Sequence, residues 1–361
     1  MEQENLISPA PTVAIQAGTV QTVAIRQTGP TGWITLNRPS ALNALNGEMV
    51  RAIQQTLNLW RDDPAVTAII LQGTGRAFCA GADVRRLREA VLADDMDVVE
   101  TFFREEYTLD HTIATYPKPV LALVDGLCVG GGMGLAMHAH SLVATRAASF
   151  GMPETAIGLF PDVGASQVLP QLRGRTGLYM ALTGRPIPAE MAHAAGLLTH
   201  LWPGDMSELV AGLEKHGLAA LVETGLPVSS SAFDHVFSRI DTCFSGTSLI
   251  DILDALASET SQWGEETLAA IREKSPAALC WTFEMMRTGQ KLTLQQALNR
   301  DLAMAMAMTV TRLPDFAEGI RALLVDKDRT PRWQDARVED VDPAIIASVL
   351  KSAASYPGTF C

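Results

Sequence analysis

Two stretches, TAIILQGTG at residues 67 to 75 and PVLALVDG at 119 to 126, are apolar without alternation and end in glycine. A strand with one wet face alternates polar and apolar residues, so unbroken runs of this length mark strands buried in a core. Strand signals recur along the first two hundred residues. Trp33, Ile34, Thr35 and Leu36 end at Asn37 and Pro39, and SLVAT follows at 141 to 145. Between them lie segments of helical period. Met49, Ile53, Leu57 and Trp60 recur along Glu48 to Asp62 before Pro64, a charge-rich stretch runs through FFREEYTLDHTIAT, and GLAMHAH follows a glycine turn. Alternation of strand and helix places the chain in the α/β class. From about residue 206 strand signals fade, and TFEMMRTGQ, TLQQALNRDLAMAMAM and FAEGIRALLVD read as helix. The expected organisation is a loose tail over 1–18, a core over 19–205 and a mainly helical region over 206–361. The methionines from Met285 to Met308 are expected to fill that region's core.

Composition removes several function classes. The formal net charge of −12 disfavours a nucleic-acid surface, so an anionic ligand must be met by a local basic patch. The best apolar stretch, LALVDGLCVGGGMGLAMHAH, is interrupted by Asp125, His138 and His140, so no membrane span is expected. Five cysteines form no CxxC pair, which favours reduced thiols and a cytoplasmic location over a disulfide framework or structural zinc. The first twenty residues hold two glutamates and no basic residue, unlike a secretory signal or an Arg-rich transit peptide.

The chemistry-bearing signals lie in three places. GMPETAIGLFPDVGAS sets Glu154 and Asp162 among Ile157, Leu159, Phe160 and Val163, residue types that usually go inside. Each acid follows a proline, so helix capping is the alternative to a functional role. VGGGMG at 129 to 134 follows a strand and opens a helix, yet it matches neither GxxxxGK[ST] nor GxGxxG. Its glycines either let backbone N–H groups approach a ligand or serve tight packing. Serine-hydrolase and zinc-hydrolase signatures are absent, Ser166 has no base near it in sequence, and Asp83 reads as a helix cap. His138 and His140, two apart, would diverge on a helix and are not expected to be catalytic.

RAFCAGADV, VDGLCVGGGMG and GMPETAIGLFPDVG, in this order and each after a strand, resemble the crotonase superfamily of enoyl-CoA hydratases and isomerases. Within it, FFREEY, MPETAIGLFPDVG and DFAEGIRALLVDKDRTPRW are similar to the 3-hydroxyisobutyryl-CoA hydrolases, over about Thr31 to Trp333. The resemblance implies a spiral of strand-strand-helix units that binds an acyl-CoA thioester, with the N–H groups of Ala82 and Gly131 polarising the thioester oxygen. It implies Glu154 as the catalytic carboxylate, nucleophile or general base, Asp162 on the substrate 3-hydroxyl, and Glu106 as a further substrate contact. For Glu106 the alternative is a surface charge near Arg104. Hydratases of the superfamily carry a second glutamate where this chain has Gly134, which disfavours hydration. The expected activity is therefore cleavage of a short branched 3-hydroxyacyl-CoA in valine breakdown. A hydratase or isomerase, or a non-catalytic acyl-CoA binder, is the alternative. No metal or organic cofactor is expected, and a homo-oligomer is allowed without a marked interface. Arg85, Arg86, Arg88 and Arg38 form the best local basic cluster for the CoA phosphates, or a solvated helix face.

Overall fold

The computed structural model describes residues 22–221 and 230–354. The expected tail, Cys361 and the start of the serine run near 230 lie outside the described residues. A six-stranded sheet has the order β1 (Val23–Thr28), β2 (Thr31–Leu36), β3 (Ala68–Gly73), β5 (Val120–Val124), β7 (Ser141–Thr145), β10 (His200–Trp202). Within this sheet, among the described residues, only β1 is antiparallel to its neighbour; β2, β3, β5, β7 and β10 run parallel. The unbroken apolar runs follow from this arrangement. Ile69 and Leu71 of β3 face one core, whereas Ile70, with Trp33, Leu121, Leu123 and Val143, packs beneath Leu209 and Leu213 of a helix on the opposite face.

A second sheet, β4 (Ala77–Cys79), β6 (Leu127–Val129), β8 (Ser149–Gly151) and β9 (Ile187–Pro188), is built of strands too short to have been legible in RAFCAGADV or VDGLCVGGG. Three parallel strands of the large sheet hand the chain to a short strand of the small one, β3 to β4, β5 to β6 and β7 to β8. The β5–β6 corner depends on Gly126: φ is +85°, and a Cβ there would lie 2.1 Å from the Arg76 carbonyl oxygen. Helices close the turns of this spiral. They are α1 (Gly47–Arg61), α2 (Val84–Leu92), α3 (Met96–Ala114), α4 (Gly131–Met137), α5 (Ala165–Val168), α6 (Thr176–Thr183) and α7 (Ala189–Ala194). The periodic residues Met49, Ile53 and Leu57 of α1 are buried, and its start is fixed by the Asn46 side chain accepting the Met49 N–H at 2.9 Å.

Beyond β10 every described element is helical: α8 (Met206–His216), α9 (Asp234–Cys243), α10 (Leu249–Ser258), α11 (Gln262–Arg272), α12 (Pro276–Gly289), α13 (Leu294–Thr311), α14 (Leu313–Ile320) and α15 (Pro343–Ala354), with short 3-10 and π turns between. Reciprocal capping boxes start α10 at Ser248 and Asp251 and α13 at Thr293 and Gln296. Met285, Met286, Met304 and Met308 are buried, in keeping with core filling. α13 packs on α3 and α14 on α2, so the helical region braces the helix that carries Glu106 and the helix that follows the Ala82 loop. Among the described residues no helix is long and apolar enough to cross a membrane.

Candidate active site

The charges of α3 divide by helical phase. Glu105 turns outward to Arg51 at 2.7 Å, and Arg104 pairs with Glu100. Glu106 and Asp110, one turn apart and therefore on one face, are 1% and 0% exposed. Glu106 is thus no surface charge. Opposite that face stands the glycine run, and its small size makes room for carboxyl groups. A Cβ on Gly131 would lie 2.2 Å from Glu106 Oε1, one on Gly130 2.9 Å from Glu154 Oε1, and one on Gly134 2.8 Å from Asp110 Oδ1. Gly132 serves the packing alternative, since a Cβ there would meet the Cys79 carbonyl oxygen at 2.6 Å.

Gly131 is the first residue of α4, so its N–H belongs to the donors a helix leaves unpaired. The loop after β4 comes against it: a Cβ on Gly81 would be 3.7 Å from the Gly131 nitrogen. That loop is held by Leu45, whose N–H donates to Gly81 O at 2.8 Å and whose carbonyl accepts the Asp83 N–H at 2.7 Å. This bridge passes over Ala82, and among the described residues the Ala82 N–H donates to no backbone carbonyl. The segments that carry these two N–H groups therefore meet beside Glu154: a Cβ on Gly130 would lie 3.3 Å from Gly81 Cα and 2.9 Å from Glu154 Oε1.

Glu154 opens a 3-10 turn, and Asp162 lies eight residues on; the N-cap positions of the two helices that follow are Pro153 and Gly164, so neither acid is the capping residue. The Tyr107 hydroxyl donates to Asp162 Oδ2 at 2.6 Å. Val163 has φ +51°, a region costly for a β-branched side chain, and it holds this geometry with its carbonyl accepting from His138 Nε2 at 2.7 Å.

The electrostatics are those of acids denied their counter-ions. Burial, then the neighbouring Asp162 charge, holds Glu106 and Glu154 well above the ordinary carboxylate range. Asp110 is likewise raised, by burial and then by Glu106. Asp162 is pushed up to about 6 by burial, with the Tyr107 hydroxyl pulling it back. No cation among the described residues offsets any of the four. Among the described residues Glu106 Oε1, Glu154 Oε2 and both Asp110 oxygens have no hydrogen-bond partner, an uncommon state for buried carboxyl groups that leaves them open to a polar ligand. The arrangement can polarise a carbonyl oxygen with two N–H groups, present a carboxylate to the carbonyl carbon, and accept from or donate to a nearby hydroxyl.

Five residues expected from the sequence, Ala82, Gly131, Glu106, Glu154 and Asp162, thus come together. Others do not join them. Asp83 stands at the start of α2 but makes no side-chain cap; it pairs with Arg38 at 3.1 Å. Arg85, which is exposed, donates to the Leu324 carbonyl and the half-buried Arg88 to the Ala317 carbonyl, so both tie α2 to the C-terminal region. Burial lowers His138 to about 4, consistent with a structural histidine, and His140 accepts the Val120 N–H at Nδ1. The Ser166 hydroxyl is taken by Arg300 at 2.7 Å. Cys79 is raised to about 12 by burial, an inert thiol. Among the described residues no group of His, Cys, Asp and Glu is disposed to hold a metal ion. Sequence reasoning missed Tyr107 and Asp110, although their spacing from Glu106 on a helix carried the signal. It also missed Asp301, whose Oδ2 accepts the Gly164 N–H at 2.8 Å from 137 residues away.

A spiral of parallel strands with a glycine helix start, paired N–H donors and a buried acid defines an acyl-CoA enzyme class, and the enoyl-CoA hydratase/isomerase family profile matches residues 31–350. The chain belongs to that family. Within it, the chain groups with the 3-hydroxyisobutyryl-CoA hydrolases. It is 39% identical over 343 residues to the mitochondrial 3-hydroxyisobutyryl-CoA hydrolase of Gallus gallus, covering 91% of this chain and 88% of the relative. It is 38% identical over 350 residues to that of Homo sapiens, covering 92% and 89%. Among solved structures it is similar to an enoyl-CoA hydratase from Rhodobacter sphaeroides, with 36% identity, TM-score 0.85 and coverage of 91% and 97%. It is also similar to a carnitinyl-CoA dehydratase from Mycobacterium thermoresistibile, with 33% identity, TM-score 0.85 and coverage of 91% and 96%. The expected cytoplasmic location is corrected by the relatives, which are mitochondrial by name. The cysteine pattern of the sequence does not choose between one reducing compartment and another.

Proposed function

We propose that the protein hydrolyses a short, branched 3-hydroxyacyl-CoA thioester of the 3-hydroxyisobutyryl type to the free hydroxy acid and CoA, which would place it in valine breakdown. The observation that carries this reading is the Glu154 carboxyl packed against Gly130, beside the unpaired N–H groups of Gly131 and Ala82.

The thioester oxygen would sit between the two N–H groups. There the charge that develops on it meets preorganised donors worth roughly 3 kcal/mol each. Glu154 either adds its own oxygen to the carbonyl carbon, giving an anhydride that water opens, or takes a proton from the water that adds. In both routes the carbon–sulfur bond breaks, the sulfur leaves as thiolate and is protonated, and the water oxygen stays with the acid. Asp162, ionised and fixed by Tyr107, would accept from the substrate 3-hydroxyl, and Glu106 would be a second contact to the acyl group. No metal or organic cofactor enters these steps.

A second reading, hydration of an enoyl-CoA, is favoured by one observation. The Asp110 carboxyl fills the space beside Gly134, so an acid from α3 stands where the superfamily's hydratases supply one from α4. A thiol-release screen over short 3-hydroxyacyl-CoA and unsubstituted acyl-CoA thioesters, with and without EDTA, is set beside an absorbance assay on the matching enoyl-CoA. The proposal expects EDTA-insensitive thiol release, fastest on 3-hydroxyisobutyryl-CoA. Loss of enoyl absorbance without thiol release would move the protein to the hydratases, and no turnover in either assay would make it a binder.

A further inference from the structure

The segment from Asp162 to Ser166 is held from several sides, and two of its fastenings come from one place on α13. Asp301, fully buried, accepts the Gly164 N–H at 2.8 Å through Oδ2. Arg300, its neighbour, donates to the Ser166 hydroxyl at 2.7 Å and is itself held by Thr288 Oγ1 at 2.7 Å and the Met285 carbonyl at 3.1 Å. Between Asp162 and these anchors lies Val163 at φ +51°, followed by Gly164 at φ +79°. Left to itself a valine does not stay in that region, so the conformation that aims the Asp162 carboxyl at Tyr107 must be imposed by its surroundings. His138 and Tyr107 grip Val163 and Asp162 from the core, but neither holds the chain beyond Val163.

We propose that Arg300 and Asp301 are positioning residues that set where Asp162 stands and so govern discrimination in favour of a substrate 3-hydroxyl; this rests on the reading of Asp162 as the group that accepts from that hydroxyl. The helical C-terminal region would then act on specificity from outside the acyl site, through the Gly164 N–H and the Ser166 hydroxyl. Asp301 also keeps one oxygen, Oδ1, without a hydrogen-bond partner, so its hold on the loop passes through Oδ2 alone. That makes the contact separable by mutation.

The test is the ratio of kcat/KM on 3-hydroxyisobutyryl-CoA to kcat/KM on isobutyryl-CoA, read for Asp301→Ala, Asp301→Asn, Ser166→Ala and Asp162→Asn alongside the parent. A residue that merely holds α13 in place would lower both rates together and leave the ratio alone. The clamp predicts that Asp301→Ala lowers the ratio about tenfold and Ser166→Ala about threefold. Asp301→Asn, whose amide oxygen still reaches the Gly164 N–H, should keep the ratio within about threefold of the parent. If Asp301→Ala does not fold, Ser166→Ala decides: a lowered ratio supports the clamp and a parental one overturns it. If Asp162→Asn collapses the ratio while both clamp variants keep it, the clamp fails and the role of Asp162 stands. If Asp162→Asn keeps it too, both readings fall.

Discussion

Among the described residues the acids around Asp315 and those around Glu106 are built to opposite rules. On α14, Asp315 is fully buried, yet one oxygen accepts the Ser275 hydroxyl at 2.9 Å and the other the Gln334 N–H at 2.8 Å. Nearby, Arg312 meets Asp335 at 2.6 Å with both side chains largely covered. Burial pushes Asp315 up, and its hydrogen bonds and Arg312 pull it back. Glu106, Asp110 and Glu154 are buried to the same degree but retain oxygens that meet nothing, with no cation opposing them. The first cluster fastens α14 against the turn at Gly158, where a Cβ would come within 2.7 Å of the Asp315 backbone. The second cluster carries a cost in the free protein, which is what a site reserved for a polar substrate looks like. Burial of an acid alone does not mark function; several unpartnered acids gathered beside a glycine-lined helix start make a stronger case.

The comparison can be broken most forcefully at the glycine helix start. Gly131→Pro removes the donor N–H and places ring carbons where Glu106 Oε1 now sits, so turnover should fall about 100-fold to 1000-fold. A folded variant that keeps more than about a tenth of the parental rate would remove this N–H from the oxyanion assignment.

A smaller effect should appear with pH. Asp162 is raised to about 6, so its ionised form is present above that value and lost as pH falls through it. The preference for 3-hydroxyisobutyryl-CoA over isobutyryl-CoA should therefore shrink, up to about tenfold, as pH is lowered through that region. Glu154 is also held well above the ordinary carboxylate range, so thioester cleavage itself should fade on the acid side at a higher pH than a free carboxylate would give. Paired kcat/KM profiles on the two substrates measure both, and a flat ratio would detach Asp162 from the hydroxyl.

The smallest effect concerns stability, and here the two clusters should respond with opposite sign. Asp315→Ala leaves the Ser275 hydroxyl and the Gln334 N–H without their acceptor and should cost about 1–3 kcal/mol. Asp110 is raised in the folded state, so the folded protein binds its proton more tightly than the unfolded chain does. Its ionisation therefore opposes folding above the unfolded value. Asp110→Asn removes that opposition and should raise stability by about 1 kcal/mol at neutral pH. Urea midpoints of the two variants are the measurement; equal destabilisation would erase the distinction between the clusters.

What the sequence disclosed, and what it hid, follows from the range of the interactions. The parallel strands were legible at 68–73 and 120–124 because burial on both faces leaves an unbroken apolar run. The strands of the small sheet were not, since two or three residues at Ala77–Cys79 and Leu127–Val129 carry no period. Glu154 and Asp162 stood out because acids in an apolar stretch break local expectation. Asp110 was hidden among the charges of α3, where only the phase relative to Glu106 separates an inward acid from the outward Glu105. Asp301 had no local mark at all; its partner is the backbone of Gly164, a donor every residue but proline possesses. The ties of Arg85 and Arg88 were hidden for a related reason: composition shows a basic cluster, while the carbonyls they meet at Leu324 and Ala317 lie more than two hundred residues on.

The measurement that bears most directly on the chemistry is thiol release from 3-hydroxyisobutyryl-CoA by Glu154→Gln. Glutamine keeps the shape against Gly130 and removes the group that attacks or deprotonates. The expected result is a fall in kcat of at least about 100-fold on every thioester, with KM changed little and the fold retained. A folded Glu154→Gln enzyme that releases thiol within about threefold of the parental rate would contradict the assignment of Glu154, and with it the reading of the unpartnered acids as a hydrolytic site.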